Sequence, residues 1–548
     1  MIKKKLLYGI LIVCILGIGG IGLLSYRFLF TTQDTIEKNE TVQFRDLVVK
    51  LVREDFLGKT VKYPKELEIE GDWRVSVKIY HQGEIKGEGT GKSEILSLTL
   101  EEATKNTLED KRLEGLDKKD LEEARFLIEI LVPGSGPFSF IEYEGKGKEL
   151  LKGDLVAVRN LDKELIRQKI IEGKEYLLRV IDKNEHGVHK YYYALDDSFE
   201  DRLHTIYTSS LIYTLLKIYE PEKDESLLEQ IFKCGDLILS MQNKEEGTKG
   251  YGAFYYSYYL KNKEKEKKFV VGTTSKTIFT LLELYKLTGD AKYLESAKLG
   301  ANWLITMQKP DGSMKSYLRY TDEKWVHGTK ESFLYNGQVL SALSRLYNIS
   351  KEKNYYQSAE KIAKNFAKKI EEEGCYLGDD YRPKNPISSS WVVLSLLDFY
   401  KISGEEYYKN LVLKCSDDLL KRQITKEDDV IDNGRWEEAY STSGVGWIAE
   451  VVTEIYSFCK EEKMVACDEY KEAVVRAIRW LIQNTYSKEN TFFLKNPEKA
   501  IGGLFWDYNN KYVRTDSVCH GLNAYLNIIN DLEEGLLLSI PEKPLERN

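Results

Sequence analysis

From about residue 160 onward the apolar positions follow two alternating helical patterns. One pattern carries a single apolar stripe and recurs near 162–182, 224–242, 291–308, 353–372, 406–422 and 467–483. The other is apolar around most of its circumference. It reads LIYTLLKIY ending at Tyr219, TIFTLLELY at Tyr285, QVLSALSRLY at Tyr347, WVVLSLLDFY at Tyr400 and GWIAEVVTEIY at Tyr456, with a sixth copy, SVCHGLNAYLNII, that lacks the terminal Tyr. A striped helix needs one covered face, whereas a helix apolar nearly all round must be surrounded by others. Alternating the two kinds predicts six helical hairpins over 159–535, with six inner helices inside six outer ones. An outer helix precedes the first inner one, which favours a closed ring over an open spiral.

The links within the hairpins repeat as well. Each carries a glycine followed by aromatic or polar residues: Gly187, Gly252, Gly312, Gly374, Gly434 and Gly503, spaced about 60 to 70 residues apart. Residues 31–158 read differently, as a small α/β module. VSVKIY (75–80) alternates like a strand, HQGEIKGEGTG follows as a turn, and FLIEILV (126–132) is a second strand closed by Pro133 and Gly134. Between them Thr99, with Glu102 three residues on, reads as a capping box. Residues 536–548 read as a tail.

Residues 6–24 have no charge, and as a helix would span roughly 29 Å, close to the hydrocarbon core of a bilayer. Lys3, Lys4 and Lys5 precede this run, and SYRFLF follows it where a cleavage site would need small residues. The expectation is an uncleaved transmembrane signal anchor over 1–30, with the remainder single-pass and extracytoplasmic.

With 80 Lys and Arg against 88 Asp and Glu, the net charge of −8 argues against a nucleic-acid partner. Of seven cysteines, Cys14 lies in the anchor and the other six show no CxxC. Outside the cell they permit disulfides of undetermined connectivity. Cys234, Cys415 and Cys459 sit among apolar helical residues and read as small buried hydrophobes.

The hairpin pattern resembles the six-hairpin (α/α)6 toroids, among them unsaturated glucuronyl hydrolases, other glycosidases and lyases, and the C-terminal domain of glucuronyl C5-epimerases. Gly337–Tyr347 is similar to the helix after the glycine-glutamine step of the epimerase domain. Arg435-Trp436-Glu437-Glu438-Ala439-Tyr440 comes near that domain's Trp-x-Glu-Glu-x-Pro stretch without its proline. Lys86-Gly87-Glu88-Gly89-Thr90 stands where the AMMECR family, which the 31–158 module faintly resembles, carries Arg-Gly-Cys-Ile-Gly. Cys519-His520-Gly521 resembles the zinc-binding trio of lanthionine cyclases, but Ser443–Trp447 supplies no further cysteine. Two ligands do not complete a four-coordinate site, so no metal and no cofactor are expected.

In a closed ring the inner helices all start at one end. Their N-termini offer unpaired N–H groups and partial positive charge there. Tyr191, Tyr192, Tyr193, Tyr255, Tyr256, Tyr258, Trp325, Trp436, Trp506 and Tyr508 fall in the loops at that end and offer flat faces to sugar rings. Inverting glycoside hydrolysis needs two carboxyl groups across the scissile bond. Asp380 and Glu437, each beside aromatics and an arginine (Arg382, Arg435), are the candidate catalytic pair. Asp201 and Asp516 read as helix caps. A lyase or epimerase would instead abstract a proton beside a carboxylate, and His204, Tyr207, Tyr440, Arg514 and His520 suit that scheme. Tyr207, Tyr256, Arg382, Trp436, Trp506, Asp507 and His520 are the candidate substrate-binding residues. The resulting expectation is a membrane-anchored carbohydrate-active toroid acting on polysaccharide as hydrolase, lyase or uronate epimerase. The alternative is a non-catalytic toroid that binds glycan or protein.

Overall fold

The computed structural model describes residues 35–36, 38–132, 136–151, 154–465, 467–542 and 545–546. The run at 6–24 lies outside them. No helix among the described residues is long and apolar enough to cross a membrane. The chain divides into two compact units, Met1–Gly153 with Glu542–Asn548, and Asp154–Pro541.

The smaller unit holds a five-stranded antiparallel sheet of β1 (Glu70–His81), β2 (Glu84–Ile95), β3 (Arg125–Val132), β4 (Gly136–Tyr143) and β5 (Lys146–Leu150), in the order β2-β1-β3-β4-β5. The period-2 alternation of β1 places Val75, Val77 and Ile79 opposite Ile130, Ile128 and Phe126 of β3. This face forms a core with residues of α1 (Lys38–Phe56) and α2 (Leu96–Leu108). The glycine-rich run expected as a turn is instead strand β2. Gly87, Gly89 and Gly91 pair with Ile79, Val77 and Val75. A Cβ on Gly89 would sit 2.3 Å from the Thr107 nitrogen, and one on Gly91 2.2 Å from the Thr99 oxygen. The glycines therefore serve close packing of α2 on the strand. The expected capping box is absent, because β2 runs directly into α2. Thr99 Oγ1 donates 2.9 Å back to the Ile95 carbonyl, and Glu102 accepts 2.8 Å from the Lys92 N–H.

In the larger unit the described residues form outer helices α3 (Lys163–Arg179), α5 (Glu225–Ser240), α7 (Ala291–Thr306), α9 (Lys353–Glu373), α11 (Glu406–Leu420) and α13 (Cys467–Gln483). The inner helices are α4 (Thr205–Glu222), α6 (Val271–Thr288), α8 (Phe333–Ser350), α10 (Pro386–Ser403), α12 (Thr442–Glu461) and α14 (Thr515–Ile528). Burial follows the two sequence patterns. The outer helix α9 buries a stripe at Tyr355, Ser358, Ala359, Ile362, Ala363, Phe366, Ala367 and Ile370, while the inner helix α10 buries every residue from Ser388 to Phe399. Each inner helix packs on the next, and α14 packs on α4, so the ring is closed.

Glutamines at the ends of outer helices join successive hairpins. Gln242 Nε2 donates to the Gly252 carbonyl at 3.0 Å and to the Ser296 carbonyl of the next outer helix at 2.9 Å. Gln423 repeats this with Gly434 and Ala473, at 3.0 and 2.8 Å. Gly252 and Gly434 lie at φ +90° and +104°, and a Cβ there would press to 2.3 and 2.1 Å on carbonyls of the next outer helix. Glycine is thus required by both conformation and space. At the closing junction the left-handed glycine is Gly502, not Gly503, and it meets the Glu172 carbonyl of the first outer helix α3. Asn160–Asp162 and Leu536–Ser539 pair as antiparallel strands beside it.

The fourth junction differs. Gly374 has open space around it, and a disulfide ties Cys375 to Cys415 of α11, with Cα atoms 5.1 Å apart. A second disulfide joins Cys459 to Cys467 between α12 and α13. The reading of Cys415 and Cys459 as buried hydrophobes is corrected accordingly. Cys234 and Cys519 are free and buried.

Candidate functional site

The N-terminal ends of all six inner helices line one cavity of about 480 Å³. The first turns contribute Tyr207 and Ser210 of α4, Thr273 and Lys276 of α6, and Tyr335 and Gln338 of α8. Opposite them lie Trp391 of α10, Ser443 and Trp447 of α12, and Asp516 and His520 of α14. Loops add Lys190, Tyr256, Arg382, Trp506 and Arg514. The walls thus carry four cationic side chains, three tyrosines and one carboxylate.

That carboxylate is already engaged. Asp516 is paired with Arg514, whose Nη2 also donates 2.8 Å to Ser443 Oγ, and Ser443 Oγ donates 3.1 Å to Asp516. Burial works against ionisation of Asp516, but the Arg514 guanidinium outweighs burial and holds the carboxyl below its usual range. Asp516 is therefore a fixed partner of Arg514 rather than a helix cap. Asp201 caps nothing either, since α4 starts after His204. The Arg514 guanidinium also lies 4.4 Å over the Trp506 ring.

A second acid lies just behind the wall. Glu450 of α12 accepts a 2.6 Å hydrogen bond from His520 Nδ1 and a 3.0 Å bond from Asn523 Nδ2. Burial opposes its ionisation, yet the hydrogen bond and charge of His520, together with Lys276 and Lys217, outweigh burial and hold the carboxyl down at about 2. An ionised Glu450 fixes the proton on Nδ1. His520 Nε2 has no hydrogen bond among the described residues, and the residue lines the cavity. The Trp447 ring stands edge-on to the imidazole at 5.2 Å.

Lys276 is the other unusual group. It is only 9% exposed, and no hydrogen bond or ion pair holds its ammonium among the described residues. Four rings surround Nζ instead: Phe279 at 5.3 Å, Trp447 at 5.4 Å, Trp391 at 5.5 Å and Tyr213 at 6.0 Å. Trp391 and Trp447 stack face to face at 3.7 Å. Burial lowers the Lys276 pKa, with Glu450 opposing. Burial also keeps the wall tyrosines protonated: Tyr256 is pushed up to about 12, and Tyr207 well above its ordinary value against the pull of Arg514.

The structure brings Tyr207, Tyr256, Arg382, Trp506, Arg514 and His520 together on this cavity, beside Asp516, and leaves the other candidate residues elsewhere. Trp436 is fully buried, its indole N–H donating 3.0 Å to the Leu419 carbonyl, so it has no face for a sugar. Asp507 accepts from the N–H groups of Asn509 and Asn510 in its own turn. Asp380 accepts 2.7 Å from the Glu331 N–H, Glu437 is exposed, and neither lines the cavity. Arg435 pairs with Asp432 at 2.7 Å rather than with Glu437. His204 is buried and packs edge-to-face with Tyr207 and Tyr256, outside the cavity lining, and Tyr440 is 62% exposed. Among the described residues no three His, Cys, Asp or Glu side chains cluster to hold a metal.

Sequence reasoning passes over Lys276 and Glu450. Their signal is present in TTSKTIFTLLELY and GWIAEVVTEIY: a charge within a helix that must be buried on all sides.

Residues 231–364, less than half of the chain, match the family profile described as the ulvan lyase N-terminal domain. No curated protein matches the chain. Among solved structures the chain is similar to cellobiose 2-epimerase from Bacillus thermoamylovorans, at 14% identity over 68% of this chain and 99% of that one, with a TM-score of 0.54. It is similar to D-mannose isomerase at 14% identity over 67% and 98%, with a TM-score of 0.51. Cellobiose 2-epimerase from Spirochaeta thermophila matches at 12% identity over 67% and 96%, with a TM-score of 0.50. At these identities the likeness is one of fold: the larger unit is a six-hairpin (α/α)6 toroid, the architecture of these carbohydrate-active enzymes.

Proposed function

We propose that the toroid binds a uronate-bearing polysaccharide in the cavity and removes the proton on the carbon next to the uronate carboxylate, cleaving the chain by β-elimination. The observation that carries this reading is the Glu450–His520 pair on a wall with four cations and one already paired carboxylate. In its neutral form, with the proton on Nδ1, His520 takes the C5 proton at Nε2, and Glu450 stabilises the imidazolium that results. Lys276 offers three free N–H donors to the carboxylate, where negative charge accumulates as the proton leaves. The electron pair released at C5 forms the C4–C5 double bond as the C4–O bond breaks. Tyr207, kept protonated by burial, gives its proton to the departing oxygen. A hydrolase would need two free carboxyl groups facing each other, and the described lining offers only Asp516, held by Arg514. The match to an ulvan lyase N-terminal domain profile over 231–364, a segment that contains Lys276, supports a polysaccharide of this class as substrate.

We further propose that the toroid faces outward from a membrane, anchored by residues 6–24. The apolar run with its preceding lysines supports the anchor. The two disulfides support an oxidising compartment.

The test is to incubate the protein with ulvan, hyaluronan and polygalacturonate and follow the ultraviolet absorbance of the unsaturated uronate. Growth of that absorbance supports elimination. Deuterium uptake from heavy water at C5 without unsaturation would replace elimination by epimerisation. Binding without turnover of any kind would replace catalysis by glycan capture.

A further inference from the structure

The loop of the first hairpin contains three consecutive tyrosines. Tyr191–Tyr193 forms a short strand, β6, paired with β7 (Val513–Arg514) of the sixth hairpin, with Tyr191 opposite Arg514 and Tyr192 opposite Val513. Strand alternation then separates the three rings. Tyr192 turns inward, is fully buried and donates 3.1 Å to Asp197. Tyr191 and Tyr193 share the other face, with their rings 5.9 Å apart. Tyr512 joins them, at 5.1 Å from Tyr191 and 6.3 Å from Tyr193. Tyr512 also stacks with Trp506 at 5.9 Å and 21° between planes, and the backbone N–H of Trp506 donates 2.8 Å to the Tyr512 carbonyl. Trp506 itself lines the cavity.

The result is one unbroken run of rings from the cavity wall, through Trp506, Tyr512 and Tyr191, to Tyr193, which is 38% exposed. Two cations lie along it, with Arg514 over Trp506 at 4.4 Å and Lys190 over Tyr191 at 4.6 Å. Tyr193 is exposed at the end of this run and Tyr191, Tyr512 and Trp506 are half-buried, so part of the ring surface stays open to water beside Lys190.

We infer that this ridge is a second binding site, which holds the neighbouring sugar units of an acidic polysaccharide whose reacting unit sits in the cavity. Tyr193 and the half-buried Tyr191 and Tyr512 offer ring surface to the pyranoses, and Lys190 offsets their carboxylates. The protein then acts within long chains in preference to short ones. This inference rests on the cavity reading above and adds the length dependence to it.

The test measures affinity of the full-length protein for ulvan oligosaccharides graded from disaccharide to long chains. Wild type should bind long chains at least about tenfold more tightly than disaccharide, which corresponds to about 1.4 kcal/mol. The double variant Tyr193→Ala, Tyr512→Ala should lose that gain, and Tyr193→Phe, which keeps the ring, should retain it. A gain that survives the double variant, or no gain in wild type while disaccharide binds, overturns the ridge and leaves the cavity reading standing. Failure of wild type to bind either length overturns both.

Discussion

Two groups of acids in the toroid have opposite fates. Asp380 and Glu437 lie in loops beside aromatics and arginines, where sequence suggests a catalytic pair. Yet Asp380 is used by a loop N–H and Glu437 faces solvent. Glu450 lies in the middle of an inner helix, where a charge is costly to bury, and there it meets His520, Asn523 and the field of Lys276. A loop acid has cheap local partners in its own turn, so its presence says little. An acid inside a helix apolar on all sides has no such partner, and it persists only where another buried group meets it. In this architecture the chemistry is better sought on the inner helices than in the decorated loops.

The comparison breaks most sharply at His520. If Nε2 is the base, His520→Ala should lower turnover of a uronate polymer by about 10²- to 10⁴-fold while long-chain binding persists. Unchanged turnover would move the chemistry away from the inner wall. Lys276→Met keeps the length and the contacts with Trp391 and Trp447 but removes the charge. Its expected cost in turnover is about 10²-fold, and its affinity should fall more for a uronate polymer than for a neutral polymer of the same linkage. An equal loss of affinity for both would make Lys276 a packing residue.

Much of the ring is legible in the amino-acid pattern itself. The alternation of striped and all-round apolar helices encodes which helices lie outside and which inside, because burial on one face or on all faces dictates composition directly. The glutamine and glycine positions of the junctions are visible too, although only the folded chain shows Gln423 bridging Gly434 to the next outer helix. Two kinds of feature are hidden. Pairings between neighbouring elements, such as His520 with Glu450 and Cys375 with Cys415, depend on how those elements are packed, which spacing within one helix does not carry. The glycine-rich β2 reads as a turn because GEGTG satisfies a turn and a strand under a close-packed helix equally well; Thr99 and Thr107 of α2 decide between them.

Glu450 sharpens the comparison through pH. Its carboxyl sits at about 2 in the folded protein against an ordinary value of 4.5. A depressed folded value contributes stability that is fully present above the ordinary value and is lost as pH falls from 4.5 toward 2. Glu450→Gln removes that contribution. The melting temperature of wild type should therefore exceed that of the variant near neutral pH, and the gap should shrink on acidification below 4.5. The same variant should lower turnover about tenfold by releasing the His520 tautomer, with little effect on affinity. A gap independent of pH would mean that Glu450 is uncharged and holds His520 only as a hydrogen-bond acceptor.

The smallest effect is expected where sequence alone points most strongly. The double variant Asp380→Asn, Glu437→Gln leaves the cavity lining intact, since neither residue belongs to it. Asparagine keeps an oxygen to accept the Glu331 N–H, and Glu437 has no buried partner to lose. Turnover should stay within about twofold of wild type, and stability within about 0.5 kcal/mol by thermal melting. A large fall in turnover with an unchanged melting temperature would return the active carboxylates to the loops. The Glu450–His520 pair would then be a structural strut between α12 and α14, and the ring's interior would act as scaffold only.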